Sequence, residues 1–465
     1  MKGAPRARAI AEAVAGGEDP GRYARAALRA AQADTLNCFL HLDPDAVEAQ
    51  IAGINPQAPL AGVPVALKDN LMDAGQPCGC ASRILEGYRA SYDATVVARL
   101  RDAGAVILGR TNMDEFAMGS STENSAYGPT RNPHDPTRTP GGSSGGSGAA
   151  VAAGICPVAL GSETGGSVRQ PASLCGVVGL KPTYGRVSRR GLVAFASSLD
   201  VVSPFGVDVR DTARIMSVIA GFDPGDPTSL DAPVGNLEAA CDRGVAGLKI
   251  GIIQECTGEG IEPGVSAALA DAARALTDAG ASLATVSLPS SPFALAAYCV
   301  LAPAEASSNL ARFDGIRYGR RAEAESLADL YVRTRSEGFG PEVQRRILLG
   351  TFALSAGYAD RYYATAQGMA ARITREMTAA LGEFDLLFCP TSPTVAFPLG
   401  ARAADPLAMY LADIFTVPAS LAGLPAISVP CGRALGLPVG AQLTGPKLGE
   451  ATLLAAAAVI EAALG

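Results

Sequence analysis

Tryptophan is absent from the 465 residues, and histidine occurs only twice, at His41 and His134. Mechanisms that place a proton on imidazole, or that hold a metal in a cluster of imidazoles, must draw on those two residues. Charge is also scarce. Asp, Glu, Lys and Arg make up 18% of the chain, and 38 Lys and Arg against 45 Asp and Glu leave a net −7. With 48% apolar residues, the composition is the reverse of a disordered polymer and provides ample material for a buried core. The negative balance gives no basic footprint for a phosphate backbone, so a nucleic acid involved in this protein's work is expected to be held by something else.

The ten cysteines are scattered. Only Cys78 and Cys80 stand close, and no second pair at zinc-finger spacing accompanies them. No metal site is expected, and the thiols read as free, many as small buried hydrophobes in a reducing compartment. The cytoplasm is the expected location. Long apolar runs are missing too. The N-terminal MKGAPRARAIAEAVAGG carries Lys2, Arg6, Arg8 and Glu12 where a signal peptide needs an unbroken apolar stretch. The least polar segment, 145–161, is broken by Gly154 and Pro157 and falls short of the ~20 apolar residues of a membrane span. No membrane association is expected.

What is present is Ala-rich helical periodicity over 7–15, 22–33 and 45–53. From about 60 to 210, short β-rich runs (63–67, 105–108, 157–160) then alternate with helical stretches such as 94–103. That alternation predicts a largely buried sheet flanked by helices. A stretch rich in Pro, Gly and Asp at 222–234 reads as a surface loop. Strand-like runs return at 248–253, 282–288, 385–389, 426–431 and 438–443, with helices over 263–279, 293–381 and 450–464. Because sheet-forming runs lie on both sides of the helical insert at about 293–381, the expected fold is α/β, one large α/β/α layered domain over 56–465. A helical segment over 1–55 is expected to pack on it.

The densest glycine signal is Gly141-Gly142-Ser143-Ser144-Gly145-Gly146-Ser147. A flexible linker sits in polar surroundings. This run instead leads into a small-residue apolar helix at 148–154, as glycine turns do where the backbone must approach something closely. A phosphate loop would close its glycines with Lys and Ser or Thr, whereas Ser147-Gly148-Ala149 follows here. A second turn runs from Gly161 to Arg169. There the N–H groups of Thr164, Gly165, Gly166 and Ser167 could converge on one oxyanion, with glycine removing the side chains that would block it. A third element, Val65-Ala66-Leu67-Lys68-Asp69-Asn70, puts Lys68 at the end of an apolar strand, where lysine is ordinarily solvated.

Together these elements permit a mechanism without histidine. A serine hydroxyl is a poor nucleophile until a base takes its proton. Lysine can be that base only when neutral, which requires its pKa to fall from about 10.4 to near 7, as burial beside uncharged hydroxyls supplies. A relay through a second serine lets Lys68 act on the nucleophile without touching it.

On these residues the chain resembles the amidase signature family, which hydrolyses amides with a Ser–Ser–Lys triad. The resemblance implies Lys68 as base, Ser143 as bridging serine on a cis peptide bond and Ser167 as the acyl-forming nucleophile. The separations agree, 75 residues from Lys68 to Ser143 and 24 more to Ser167. The resemblance also implies the family's mixed central sheet, a signature core over about 60–210, and an oxyanion hole at Thr164, Gly165 and Gly166. Further runs at 111–132, 180–188, 302–312, 345–352 and 413–418 extend the likeness over nearly the whole chain. They resemble one branch of the family, the A subunits of tRNA-dependent amidotransferases. In that branch the triad is a glutaminase, and its ammonia travels through a tunnel to a B subunit, which binds misacylated Glu-tRNA(Gln) or Asp-tRNA(Asn) and activates it with ATP and Mg. A small C subunit wraps the A–B junction. A heterotrimer is therefore implied, with no cofactor in this chain and the tRNA bound mainly through B.

Glutamine is a zwitterion, so its pocket must offer a cation to the α-carboxylate and an anion to the α-ammonium. The resemblance places Arg346 and Asp413 there, with Tyr298 as a further contact. Arg346 stands beside Arg345 in a helical stretch where a solvated face is common, and Asp413 could instead cap a helix beginning near Ile414. Cys299 follows Tyr298 where the family commonly has a second aromatic. Two other readings share much of this sequence. One is a stand-alone amidase for small aliphatic or aryl amides, with the same triad but no Arg–Asp pair. The other is a non-catalytic scaffold, against which an intact Lys68, Ser143 and Ser167 argue.

Overall fold

Eleven short runs become the strands of one sheet in the computed structural model, which describes residues 5–465. They are β1 (Phe39–Leu42), β2 (Pro64–Lys68), β3 (Val106–Thr111), β4 (Val158–Glu163), β5 (Val178–Lys181), β6 (Val201–Gly206), β7 (Lys249–Ile253), β8 (Ser282–Val286), β9 (Leu386–Pro390), β10 (Ala426–Ala434) and β11 (Leu437–Thr444). Their order across the sheet is β1-β3-β2-β4-β6-β5-β10-β11-β9-β7-β8. β2 runs parallel to β3 and β4, and β7 parallel to β8 and β9, while the other neighbours are antiparallel. The sheet is therefore mixed.

Successive side chains of a strand point to opposite faces, and both faces are covered. Val65 and Leu67 of β2 and Leu160 of β4 join one apolar core with Ile10, Leu100, Ile215 and Leu454, which lie on the helices Ala7–Ala15, Thr95–Asp102, Val209–Ile219 and Glu450–Leu464. The intervening Ala66 and Ala159 face a second core with Leu28, Val47 and Ala149, from the helices Gly21–Gln32, Pro44–Ile51 and Gly145–Ala152. Each Leu or Ile so buried contributes roughly 1.5–3 kcal/mol. These are the α/β/α layers expected from the alternation of strand-like and helical runs.

Three strands went unforeseen. β1 lies inside the segment read as helical and pairs antiparallel with β3. β5 and β6 are short and carry Gly179 and Pro204 in their interiors. The pairing of β6 with β5 covers only Gly206 and Phe205, so it stops one residue short of Pro204, where a missing ladder donor is tolerated.

The insert between β8 and β9 includes the helices Ala294–Asn309, Leu327–Gly338, Pro341–Leu354 and Ala364–Glu383. Phe313 and Phe339 of the insert pack on Phe116, with ring centroids 4.9 and 5.6 Å apart. Ala302, Ala306 and Val343 share that cluster with Met113 and Met118. This packing presses the helices bearing Tyr298 and Arg346 against the loop that follows β3. Among the described residues, no helix is long and apolar enough to cross a membrane.

Candidate active site

β2 sits between β3 and β4 and ends at Lys68, so the amine is fully buried. Burial disfavours the ammonium and brings its pKa down to about 7, although Asp114 and Asp200 pull the other way. Nζ lies 2.7 Å from the Ser143 hydroxyl and 3.1 Å from the Ser162 carbonyl. A neutral amine that donates one N–H to that carbonyl keeps its lone pair for the Ser143 proton. The usual fate of a strand-end lysine, solvation, is not met here.

Ser143 follows a cis peptide bond from Gly142, and several buried groups hold it. Asp114 donates its N–H to the Ser143 carbonyl at 3.1 Å. The Asp114 carboxylate in turn accepts from the N–H groups of Ser121, Thr122 and Asn124, and burial pushes it up to about 6. Gly142 N–H donates to Gln170 Oε1 at 3.0 Å. The helix that follows begins at Gly145, three residues earlier than the glycine run led us to expect, because those glycines themselves supply its first turn.

β4 ends at Glu163 and the next helix, Arg169–Cys175, begins six residues later. Between them the N–H groups of Thr164, Gly165, Gly166 and Ser167 donate to nothing among the described residues. A row of free backbone donors on a glycine turn is able to receive an oxyanion. Ser144 N–H donates to the Ser167 carbonyl at 3.1 Å, which ties the backbone of the expected nucleophile to the residue next to Ser143. No hydrogen bond joins the Ser143 and Ser167 hydroxyls in this structure; of the expected Lys68–Ser143–Ser167 chain, the contact between Lys68 and Ser143 is the one formed.

The turn has a brace that sequence reasoning missed. Glu163 Oε2 accepts the N–H groups of Val168 and Arg169, both at 3.2 Å, and Glu163 forms an ion pair with the fully buried Arg169 side chain. That guanidinium also donates to Gln442 Oε1 at 2.6 Å and to the Thr416 carbonyl at 2.9 Å. Gln442 and Thr416 come from distant parts of the chain, so only the fold reveals the whole brace. The local clue was the pair of opposite charges, Glu163 and Arg169, flanking a run of small residues.

Asp413 lies beside this turn. Its Oδ2 accepts from Ser120 Oγ, while Oδ1 is buried without a partner. Burial pushes the carboxyl up to about 7, so an incoming cation would supply the charge partner it lacks. A Cβ on Gly166 would stand 2.6 Å from that Oδ1, which makes glycine the only residue that lets the carboxylate and the turn meet. The capping alternative is not realised, since the side chain of Asp413 caps no helix. Tyr298 closes the same turn, its hydroxyl 2.9 Å from Thr164 Oγ1 and its ring against Gly165.

Arg346 points inward and is buried, whereas Arg345 is largely exposed. Its Nε donates to Glu342 Oε1 at 2.7 Å, and its guanidinium stacks over Tyr410 at 5.0 Å and Phe195 at 5.6 Å. Tyr410 donates to the same Glu342 oxygen at 2.7 Å. Beyond this group a cavity of about 370 Å³ is lined by Glu115, Glu123, Glu342, Arg345, Arg402 and Tyr410, among others. It borders the Arg346 side of the site and does not reach the serines, which are enclosed. Cys78 and Cys80 are buried, with Cys78 Sγ donating to the Asp69 carbonyl.

Comparison with known proteins bears on the fold and the family. The profile of the family described as Amidase matches residues 22–454. The chain is 58% identical over 412 residues to the A subunit of glutamyl-tRNA(Gln) amidotransferase from Synechococcus sp. (strain RCC307), covering 88% of this chain and 85% of the relative. The crystal structure of the A subunit of glutamyl-tRNA(Gln) amidotransferase from Thermotoga maritima superposes with a TM-score of 0.82 at 44% identity, over 96% of this chain and 92% of that one. A peptide amidase solved with the inhibitor chymostatin gives 0.84 at 32% identity, over 98% and 97%. The shared backbone therefore does not separate these activities; side chains must.

Proposed function

The chain belongs to the amidase family, and from that membership and its site we infer that it is the glutaminase subunit of a tRNA-dependent amidotransferase. It hydrolyses glutamine to glutamate and ammonia, acting as an amidohydrolase within a ligase complex. The observation that carries the choice of substrate is the buried, unpartnered Oδ1 of Asp413 against the oxyanion turn. A neutral amide has no use for that oxygen, whereas the α-ammonium of glutamine satisfies it.

In the mechanism we propose, Lys68 draws the Ser143 proton while Ser143 takes that of Ser167, and the Ser167 oxygen attacks the side-chain amide carbon. The oxyanion falls among the N–H groups of Thr164, Gly165, Gly166 and Ser167, each such donor worth about 2.7–4 kcal/mol in a transition state. Collapse sends the proton back through Ser143 to the leaving nitrogen, and ammonia departs. Water then releases glutamate from the Ser167 ester by the same route in reverse. Asp413 receives the α-ammonium, Arg346 the α-carboxylate, and Tyr298 bounds the pocket.

The ammonia passes to a B subunit that holds the misacylated tRNA and consumes ATP and Mg, with a C subunit completing a cytoplasmic heterotrimer. This chain supplies no cofactor of its own in that scheme. Rates with glutamine and with benzamide test the reading. Preference for glutamine, and stimulation by the partner subunits and tRNA, are expected. Equal or better turnover of benzamide would favour a stand-alone amidase for small aliphatic or aryl amides.

A further inference from the structure

Two cysteines stand outside the proposed mechanism yet touch its scaffold. Cys389 lies in β9, and Cys256 in the short turn Gln254–Cys256 directly after β7, the strand that pairs with β9 through Ile252 and Phe388. Both thiols line one apolar pocket of about 270 Å³, walled by Ile252, Ile261, Leu269 and Phe388. The pocket opens past the exposed Thr257 and Gly258. The interaction of the two thiols, with a hydrogen bond from Gln442 and the charge of Arg169, favours the Cys389 thiolate against its burial.

The other side of Cys389 leads to the nucleophile. Gln442 Nε2 donates to Cys389 Sγ at 3.1 Å. Gln442 Oε1 accepts from Arg169, which is paired with Glu163, and Glu163 holds the N–H groups of the two residues after Ser167. The thiol is thus the outermost member of the chain of contacts that shapes the oxyanion turn.

We propose that Cys256 and Cys389 form a peroxide-sensitive dithiol site whose disulfide state slackens the Ser167 turn and lowers hydrolysis reversibly. The Cys389 thiolate attacks a peroxide oxygen, the O–O bond breaks, and the departing hydroxide leaves as water after taking a proton. Cys256 sulfur then attacks the sulfenic sulfur, the S–O bond breaks, and a second water carries off the hydroxyl with the Cys256 proton. Two thiols and one peroxide give one disulfide and two waters. A Cys389 sulfur bonded to Cys256 is a poorer acceptor for Gln442, whose Nε2 then keeps only the Phe415 carbonyl at 2.8 Å, so the Gln442–Arg169–Glu163 brace loses one of its two anchors at that end. The functional half of this proposal rests on Ser167 being the nucleophile.

The test treats the full-length chain with dilute hydrogen peroxide, blocks remaining thiols with N-ethylmaleimide and maps the peptides by mass spectrometry. Three results are expected: a Cys256–Cys389 linked peptide, slower labelling of Ser167 by a sulfonyl fluoride, and recovery of labelling with dithiothreitol. Cys256→Ser should keep the untreated labelling rate and lose the sensitivity. Absence of the linked peptide overturns the site. A linked peptide with unchanged labelling overturns the switch, and equal sensitivity in Cys256→Ser assigns the damage elsewhere, such as to Cys299. Labelling of Ser167 does not involve glutamine, so a failure of the glutaminase reading leaves both outcomes legible.

Discussion

The Nζ of Lys68 and the Oγ of Ser143 meet at 2.7 Å with neither residue exposed to water. Because burial brings the amine's pKa down to about 7, it is charged below that pH and neutral above it. kcat/KM for amide hydrolysis is expected to rise with pH through about 7 and level off above. Lys68→Arg, which cannot lose its proton, should be inactive throughout, and Lys68→Ala should lose about 10²–10⁴-fold in kcat, the usual worth of a general base. A Lys68→Ala enzyme that keeps most of its rate would show that the proton goes elsewhere.

The same amine ties folding to pH. Its folded pKa of about 7 lies below the unfolded value of about 10.4. Between these values the unfolded chain binds more protons, so this group makes stability rise with pH across that window. Urea unfolding of Lys68→Met should show a shallower rise between pH 7 and about 10. Part of the slope remains in the variant, because Lys181 is also buried with its pKa lowered to about 7.

The two serines should fail differently. Ser167→Ala removes the atom that forms the ester, so ammonia release should vanish and a sulfonyl fluoride should leave no adduct. Ser143→Ala removes only the relay from Lys68, and water in the vacated space offers a poor substitute. A small residual activity, clearly above that of Ser167→Ala, is expected in an ammonia assay.

How much of this was legible beforehand depended on distance along the chain. The meeting of Lys68 with Ser143 was readable because the glycine and serine runs are local and each carries its own backbone logic, while the roles of the three residues came from the resemblance. Most strand and helix bounds were readable because their apolar periods are strong. β5 and β6 were not, since a four-residue strand and one containing Pro204 carry no period and owe their place to neighbours. The brace of Glu163, Arg169 and Gln442 was also hidden, because its members lie 6 and 273 residues apart. Arg346 over Arg345 needed the resemblance, as helical spacing alone cannot tell which of two adjacent arginines faces in.

Asp413→Asn tests substrate choice. The amide keeps the bond with Ser120 but gives up the charge that an ammonium would meet, a difference of about 1.5–3 kcal/mol. KM for glutamine should rise about 10- to 100-fold, while the slow turnover of a neutral amide should hardly change. Equal losses on both substrates would mean that Asp413 shapes the turn and does not recognise the ammonium.

Gly166 and Gly368 offer a matched pair of substitutions with opposite signs. A Cβ on Gly166 would run into Thr416 Oγ1 and stand 2.6 Å from Asp413 Oδ1. Thr416 cannot retreat freely, because its hydroxyl donates to the Asp413 carbonyl and its own carbonyl accepts from Arg169. Gly166→Ala must therefore push apart the oxyanion turn and the Asp413 segment, at the roughly 1–3 kcal/mol typical of overpacking, with activity lost alongside Tm. Gly368 is exposed inside the helix Ala364–Glu383, and a Cβ there meets nothing within 4 Å. Gly368→Ala should raise stability by about 0.5–1 kcal/mol, because alanine loses less backbone freedom on folding, and should leave hydrolysis unchanged. Thermal unfolding and ammonia release measured on both variants decide the matter. If Gly166→Ala were as stable and active as the parent, the close approach of Asp413 to the oxyanion turn would be wrong, and with it the reason for assigning glutamine.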